Sequence, residues 1–324
     1  MVTSVKQQLI KMFSSMGNEY ISGQQIAQEL GCSRQAIWKA MDELRQDGFE
    51  IEAIRRKGYR LIGNSDQFSK SELLYQLNTS HIGQVIELYE SVSSTQIIAH
   101  EKAKDGAKHG TVIMAEEQTS GRGRMTRQWS SPKNTGIWMS TILRPTIHPQ
   151  EAPPITLVVA VAIAQSIEEL TGIIPTIKWP NDILVGSKKI AGILTELQSE
   201  MDVIHYMIIG TGINVNTEEF PEELKSIASS LLIETGEKQS RVKLAQLIWE
   251  KVEKLLDIYE KHGFAPIKLL WESYVQSIGQ EIQARTLQGT YQGIMRGITD
   301  KGVLELELSN GRIVPIYSAD IEIL

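Results

Sequence analysis

The sequence predicts an α+β chain in three parts: a small helical front end, a central domain on a mainly antiparallel sheet, and a short all-β tail. Residues 4 to 44 place apolar side chains at helical spacing in three runs separated by turn residues. From Val85 onward short apolar runs alternate with helices, and several of these runs follow one another through turns too short for a helical crossover, which favours antiparallel pairing. From about Ile278, the pairs Gln288-Gly289 and Asn310-Gly311 and the triplet Asp300-Lys301-Gly302 divide the chain with hairpin signals. The expected domains are residues 1–63, 67–277 and 278–324.

In the front end, Val5, Leu9, Met12, Phe13 and Met16 share one helix face, with Ser4 and Gln7 as a capping box. Ser22 to Gln25 repeats that start signal, Ile26, Ala27 and Leu30 follow, and Gly31 ends the helix. A third helix carries Ile37, Met41 and Leu44 inward and stops at Gly48. Short helix, glycine turn and longer helix make a helix-turn-helix, with Ser33, Arg34, Gln35 and Lys39 outward near the start of the second helix. Strand-like runs 49–54 and 58–62 flank Arg55, Arg56 and Lys57, a basic wing tip suited to phosphates. Together these predict a winged helix-turn-helix that binds DNA, with Gly63-Asn64-Ser65-Asp66 as linker.

The chain has 324 residues, 41% of them apolar, and a formal charge of −6. That balance excludes wholesale coating of nucleic acid, but residues 1 to 62 carry nine Lys/Arg against seven Asp/Glu. Cys32 is the only cysteine, and the six histidines form no His-x-x-x-His pair, so neither a disulfide nor a protein-held metal site is expected. The amino terminus lacks the apolar stretch of a signal or anchor, which places the chain in the cytoplasm with no membrane partner.

Strands are expected at Val85 to Tyr89, Thr111 to Ala115, Ile137 to Leu143, Ile183 to Val185, Ile190 to Glu196 and Val203 to Ile209. Helices are expected at Ser69 to about Leu77, 95 to 104, 155 to 171 and 241 to 261. No phosphate-binding Gly-x-x-x-x-Gly-Lys-Ser/Thr stretch exists. After the second strand of the central domain comes Glu116 to Trp129, where Gly121, Arg122, Gly123, Arg124 and Arg127 crowd into one segment. Glycines allow close backbone approach and arginines supply forked donors, so the segment suits a phosphate or carboxylate. A solvated basic turn or a minor-groove wedge would have the same composition.

Four stretches beside these strands, taken in order, resemble the biotin protein ligases: Ser93-Ser94-Thr95-Gln96; Glu116 to Trp129; Lys178-Trp179-Pro180-Asn181-Asp182 with Lys188 to Gly192; and Gly210-Thr211-Gly212-Ile213-Asn214. The helix-turn-helix narrows the likeness to the bifunctional kind, ligase and repressor of biotin genes in one chain. The likeness spans essentially the whole sequence, and G-R-G-R-x-x-R-x-W, K-W-P-N-D and K-x-x-G-I-L are its most specific parts.

The resemblance implies a class II synthetase-like central domain of the biotin/lipoate ligase type and an SH3-like barrel after it. It implies activation of biotin by Mg²⁺-ATP to biotinyl-5′-AMP, then transfer to a lysine of a biotin carboxyl carrier domain. Lys189 and Arg124 would hold the carboxylate and then the acyl phosphate, and Asp182 would orient or deprotonate the acceptor amine. Ser94, Thr95, Gln96, Gln118, Arg122 and Gly123 would surround the biotin head and its chain, with Gln96 where many relatives have Asn. Arg122, Arg127, Trp129, Lys178, Asn181, Asp182 and Asn214 would take the nucleotide. The chemistry agrees, because two anions can meet only among positioned cations. A homodimer favoured by the adenylate would place two helix-turn-helix units on a two-fold operator. A lipoate or octanoate ligase, or a DNA-binding biotin sensor without catalysis, remain the alternatives at this stage.

Overall fold

The computed structural model describes residues 5–16, 19–46, 49–55, 57–64 and 68–324. The chain divides into two compact units, Met1–Gln76 and Leu77–Leu324. Ser4, Gly48, Arg56 and the Ser65-Asp66 half of the expected linker lie outside the described residues.

The first unit runs α1 (Val5–Met16), α2 (Gly23–Leu30), α3 (Arg34–Gln46), β1 (Phe49–Ile54), β2 (Gly58–Asn64) and α4 (Lys70–Leu74). The capping box at α2 is formed, with Ser22 Oγ accepting from the Gln25 amide and the Gln25 side chain accepting from the Ser22 amide. Gly31 closes the helix in the left-handed region at φ 61°. Leu9, Phe13, Ile26, Ile37, Met41 and Leu44 are buried together with Phe49 and Ile51, so the spacing read from the sequence is one core. The hairpin β1–β2 is antiparallel. Gly58 is required in it, since a Cβ there would lie 2.1 Å from the Ile21 carbonyl oxygen. Strand β2 continues through Gly63 and Asn64, which the sequence pattern assigns to a linker. Helix α4 ends at Leu74, short of Leu77, because Tyr75 is extended and Gln76 has a positive φ.

The second unit holds β3 (Ile86–Val92), α5 (Thr95–Lys104), β4 (Val112–Gln118), β5 (Gly136–Leu143), α6 (Pro154–Thr171), β6 (Thr176–Lys178), β7 (Asp182–Val185), β8 (Lys188–Glu200) and β9 (Val203–Asn214). It continues with α7 (Leu231–Thr235), α8 (Arg241–His262) and α9 (Ala265–Ser273). The sheet order is β3-β4-β5-β9-β8-β7-β6. Only β3 and β4, joined through α5, are parallel in it, so the expected antiparallel α+β architecture holds. Strand β9 runs on through Gly210–Asn214 instead of stopping at Ile209. The short β6, α7 and α9 are additions to the sequence-derived elements. Strands β10 (Glu281–Thr286), β11 (Gly289–Ile298), β12 (Leu304–Glu307), β13 (Ile313–Ile316) and β14 (Asp320–Ile323) form the five-stranded antiparallel tail, in the order β13-β12-β11-β10-β14.

Register decides which side chains meet. Ser140 on β5, Gly210 on β9 and Leu194 on β8 are cross-strand partners, and Gly212 pairs with Trp138 and Gly192. Residues two apart share a face, so Gly192, Leu194, Gly210, Gly212 and Ser140 line one side of the sheet. Helix α5 covers part of that side through Ala99 and Ala103, packed with Ile113, Ile142, Tyr206 and Ile208. Helix α6 takes the other side, where Thr156 bonds Thr195 at 2.7 Å. Among the described residues Pro149–Thr171 is long and apolar enough to cross a membrane, yet 67% of its apolar window is buried within the fold.

Two charged contacts fix α8. Arg241, 1% exposed, donates to Glu116 on β4 at 2.7 Å and to the Gly136 carbonyl on β5 at 3.1 Å. Glu253 accepts from the amides of Ser80, His81 and Ile82. Burial opposes its charge, but the three donors hold the carboxyl below its ordinary range. A depressed carboxylate stabilises above its unfolded pKa, and the contribution disappears as pH falls through the folded value. Calorimetry of Glu253→Gln should show Tm lowered by about 3 °C at neutral pH, with the difference from the parent shrinking as the carboxylate range is crossed downward.

Candidate active site and nucleic-acid face

A cavity of about 460 Å³ opens on the α5 side of the sheet, within the size range of small-molecule sites. Its lining combines hydroxyl and amide side chains, charged groups, and Trp129, Asn214, Phe220 and Leu224. Every pocket residue expected from the sequence lines it: Ser94, Thr95, Gln96, Gln118, Arg122, Gly123, Arg124, Arg127, Trp129, Lys178, Asn181, Asp182, Lys189 and Asn214.

The polar part is built at the start of α5. The Thr95 amide donates to Gln118 Oε1 at 2.9 Å, which satisfies one of the open N–H groups of the helix. Gln118 also donates to Ser131 Oγ, and Thr95 Oγ1 lies 2.9 Å from Ser140 Oγ. Ser94 is the N-cap residue but makes no side-chain cap bond, and its buried Oγ has no partner. Ser94 lines the cavity, where a polar ligand atom could supply the partner that a buried hydroxyl needs.

The Gly/Arg segment folds back on itself. Gly123 N–H donates to the Arg127 carbonyl at 2.8 Å, and Trp129 N–H donates to the Gly121 carbonyl at 2.9 Å. Neither glycine has a positive φ. Gly121 is needed because a Cβ would lie 2.4 Å from the Trp129 carbonyl oxygen. Met125 takes the left-handed conformation at the tip, with φ 53°.

From this segment Arg124 reaches into the cavity, donating to Asn181 Oδ1 at 2.7 Å and Ser318 Oγ at 2.8 Å. Burial pushes its guanidinium pKa down, while Asp182 and Asp320 act in the opposite sense. Arg127 pairs with Asp320. Lys189 Nζ is 2.7 Å from Asp182 Oδ1, an ion pair without good hydrogen-bond angles, and 5.1 Å from the centre of the Trp129 ring. A Cβ at Gly212 or Gly192 would come within 2.4 Å or 2.9 Å of that indole, so the two glycines let the ring lie against the sheet.

Two expected ligand groups have other partners here. Asn181 also donates to the Ile193 carbonyl at 3.0 Å, so it orients Arg124 and ties the turn to β8. Asn214 Nδ2 donates to the Ser229 carbonyl at 3.1 Å. Trp179 is 3% exposed and bonds the Gly302 carbonyl, as a packing residue should. The sequence reading missed Ser140, Ser131, Ser318 and Asp320. Ser140 was detectable as a hydroxyl within an inward apolar run, whereas Ser318 and Asp320 come from the β tail with no local signal.

On the first unit Ser33, Arg34, Gln35, Lys39, Arg55 and Lys57 are exposed. Ser33 Oγ caps α3 by accepting from the Ala36 amide at 3.2 Å. Trp38, 62% exposed, shares the outward face three residues after Gln35, and the sequence reading passed over it.

Comparison with known proteins agrees with the geometry. Residues 88–214 match the biotin/lipoate A/B protein ligase family, residues 5–60 an HTH domain, and residues 277–324 the biotin protein ligase C terminal domain. The bifunctional ligase/repressor BirA of Bacillus subtilis (strain 168) is 52% identical over 325 residues, covering all of both chains. The protein of that name from Escherichia coli (strain K12) is 29% identical over 97% of this chain and 96% of its own. The solved biotin protein ligase from Aquifex aeolicus in complex with biotin and ATP has a TM-score of 0.66 at 29% identity, covering 74% of this chain and 100% of that one. The chain thus belongs to the biotin protein ligase family, in its bifunctional ligase/repressor form with a helix-turn-helix domain ahead of the catalytic one.

Proposed function

We propose that the cavity joins biotin to ATP, giving biotinyl-5′-AMP and pyrophosphate, and then passes biotin to a lysine of a carrier domain. The observation that carries this is the set of groups gathered in one pocket: the neutral donors and acceptors joined at Thr95, Gln96, Gln118 and Ser140, the charged groups Lys189, Arg124 and Asp182, and the Trp129 ring beside Lys189. The ureido ring needs donors and acceptors together, which Ser94, Thr95, Gln96 and Gln118 supply. Lys189 and Arg124 offset the repulsion between the biotin carboxylate and the α-phosphate and then hold the acyl phosphate. Arg122 and Gly123 border the acyl chain, and Arg127 and Lys178 receive phosphates. Trp129 offers adenine a flat apolar face, and Asn214 borders the base.

Mg²⁺ enters with ATP as part of the substrate, which needs few protein ligands. Asp182 is the carboxylate nearest to that chemistry. When the acceptor amine arrives, the same group is placed to orient it or take its proton. Loss of ATP affinity alone in Asp182→Asn, with normal transfer from preformed adenylate, would remove the proton role. The direct test is mass spectrometry of a carrier domain incubated with the full chain, biotin and Mg²⁺-ATP: one added biotin is expected, and an unmodified carrier would leave a sensor without catalysis.

The repressor half rests on the outward face of α3 and the wing. Biotinyl-adenylate orders the Gly/Arg segment and favours a homodimer, so that two helix-turn-helix units meet a two-fold operator in the cytoplasm. Strand β7 covers β8 only as far as Gly192, and among the described residues Leu194–Glu200 pair with β9 alone. Such an edge suits pairing between copies. Adenylate that failed to tighten operator binding would dispose of the coupling. Lys39→Ala, Arg55→Ala and Lys57→Ala should each reduce the slope of log affinity against log salt by about 0.9 where the side chain meets a phosphate. Fluorescence anisotropy with a labelled operator across a salt series measures it.

A further inference from the structure

We propose that Glu196, which does not line the cavity, is a positioning residue for the biotin head: it fixes which end of the Gln96 amide faces Ser140 and the ligand. Gln96 is 3% exposed in the first turn of α5, and its side chain lies across β9 between β5 and β8. Its Oε1 accepts from Ser140 Oγ at 2.9 Å, and its Nε2 donates to Glu196 Oε2 at 2.9 Å. The Ile208 carbonyl, 3.5 Å from Nε2, is too distant to decide the orientation. Between these partners β9 presents only Gly210, where a Cβ would lie 2.5 Å from Gln96 Oε1. The amide therefore rests flat on the backbone, and a larger residue at 210 would lift it.

The two ends of a carboxamide are alike in size, and only hydrogen-bond partners distinguish them. Ser140 does not discriminate, because a hydroxyl both donates and accepts. Glu196 does, because an ionised carboxylate only accepts. It takes the NH₂ end and leaves the oxygen toward Ser140. The same Oε2 lies 2.9 Å from His100 Nε2, and His100 Nδ1 lies 3.4 Å from the Tyr206 hydroxyl. Those groups brace the carboxylate from outside the pocket. From Ser140 the arrangement passes to Thr95 and Gln118, so a flipped amide at Gln96 would disturb several of the groups that meet the ligand.

This role rests on the ureido ring lying at the α5 end of the cavity. That ring has two N–H donors and one carbonyl, so acceptors and donors must stand in fixed places. Biotin titrated calorimetrically into the full chain tests both points. Glu196→Gln, which can present either end of its own amide, should bind biotin about tenfold more weakly, with the KM for ATP within about twofold of the parent value. Glu196→Asp, whose carboxylate is set back by one methylene, should show a similar loss. Added to Gln96→Ala, Glu196→Gln should cause no further loss, because it acts through the amide already removed. Parent-like biotin affinity in both Glu196 variants, with weakened binding in Gln96→Ala, overturns the positioning role alone. Additive losses in the double variant also overturn it. Parent-like affinity in Gln96→Ala instead overturns the placement of the ureido ring.

Discussion

Lys189→Ala should lower the rate of adenylate formation by about 10² to 10³-fold, the usual cost of removing one fixed group aimed at transition-state charge. Its ammonium lies 2.7 Å from Asp182 and over the Trp129 ring. Without it, Asp182 loses its close cationic partner where two further anions must approach. The loss should therefore fall at the upper end of that range, and Lys189→Ala/Asp182→Asn should recover part of it by removing the repelling carboxylate. Biotin-dependent exchange of pyrophosphate into ATP reads the activation step without the carrier. The KM for biotin should change far less than kcat, since the cation acts most strongly on charge that develops at the α-phosphate. Exchange within about threefold of the parent would place the activating cation elsewhere.

What was legible in the sequence was local. Ser22 and Gln25 announced a helix start, Ile37, Met41 and Leu44 a buried stripe, and Asn310-Gly311 a turn between strands, because each depends on residues a few positions apart. The Gly/Arg segment and K-W-P-N-D were visible for the same reason. Partners supplied by topology were not. Ser318 and Asp320 reach Arg124 and Arg127 only because the β tail packs beside the central sheet. Glu196 meets Gln96 only through the register of β8 on β9. Gly210 and Gly212 look like turn residues, yet they continue a strand. Their lack of a side chain makes room for Gln96 and Trp129, a reason invisible until those side chains are placed. Three-residue β6 is too short for any periodicity to mark it.

Arg124→Gly should still form the adenylate, at a lowered rate, while accelerating its escape by about 10² fold, the effect of losing two hydrogen bonds from a charged donor. Lys189 remains to support activation. What disappears is the tie between three separate parts of the fold: the Gly/Arg segment, the turn holding Asn181, and the β tail at Ser318. With that tie gone the segment keeps its own backbone hairpin but no longer bridges across the mouth of the cavity. Water and product then exchange more freely. A released mixed anhydride reacts with any amine it meets, so biotin should appear on lysines of unrelated bystander proteins as well as on the carrier. Asn181→Ala and Ser318→Ala each remove one of the two bonds and should give intermediate release rates, whereas a purely electrostatic role for Arg124 would leave both at the parent rate. Stopped-flow release of preformed adenylate measures all three variants, and dissociation from Arg124→Gly at the parent rate would show that closure depends on other contacts.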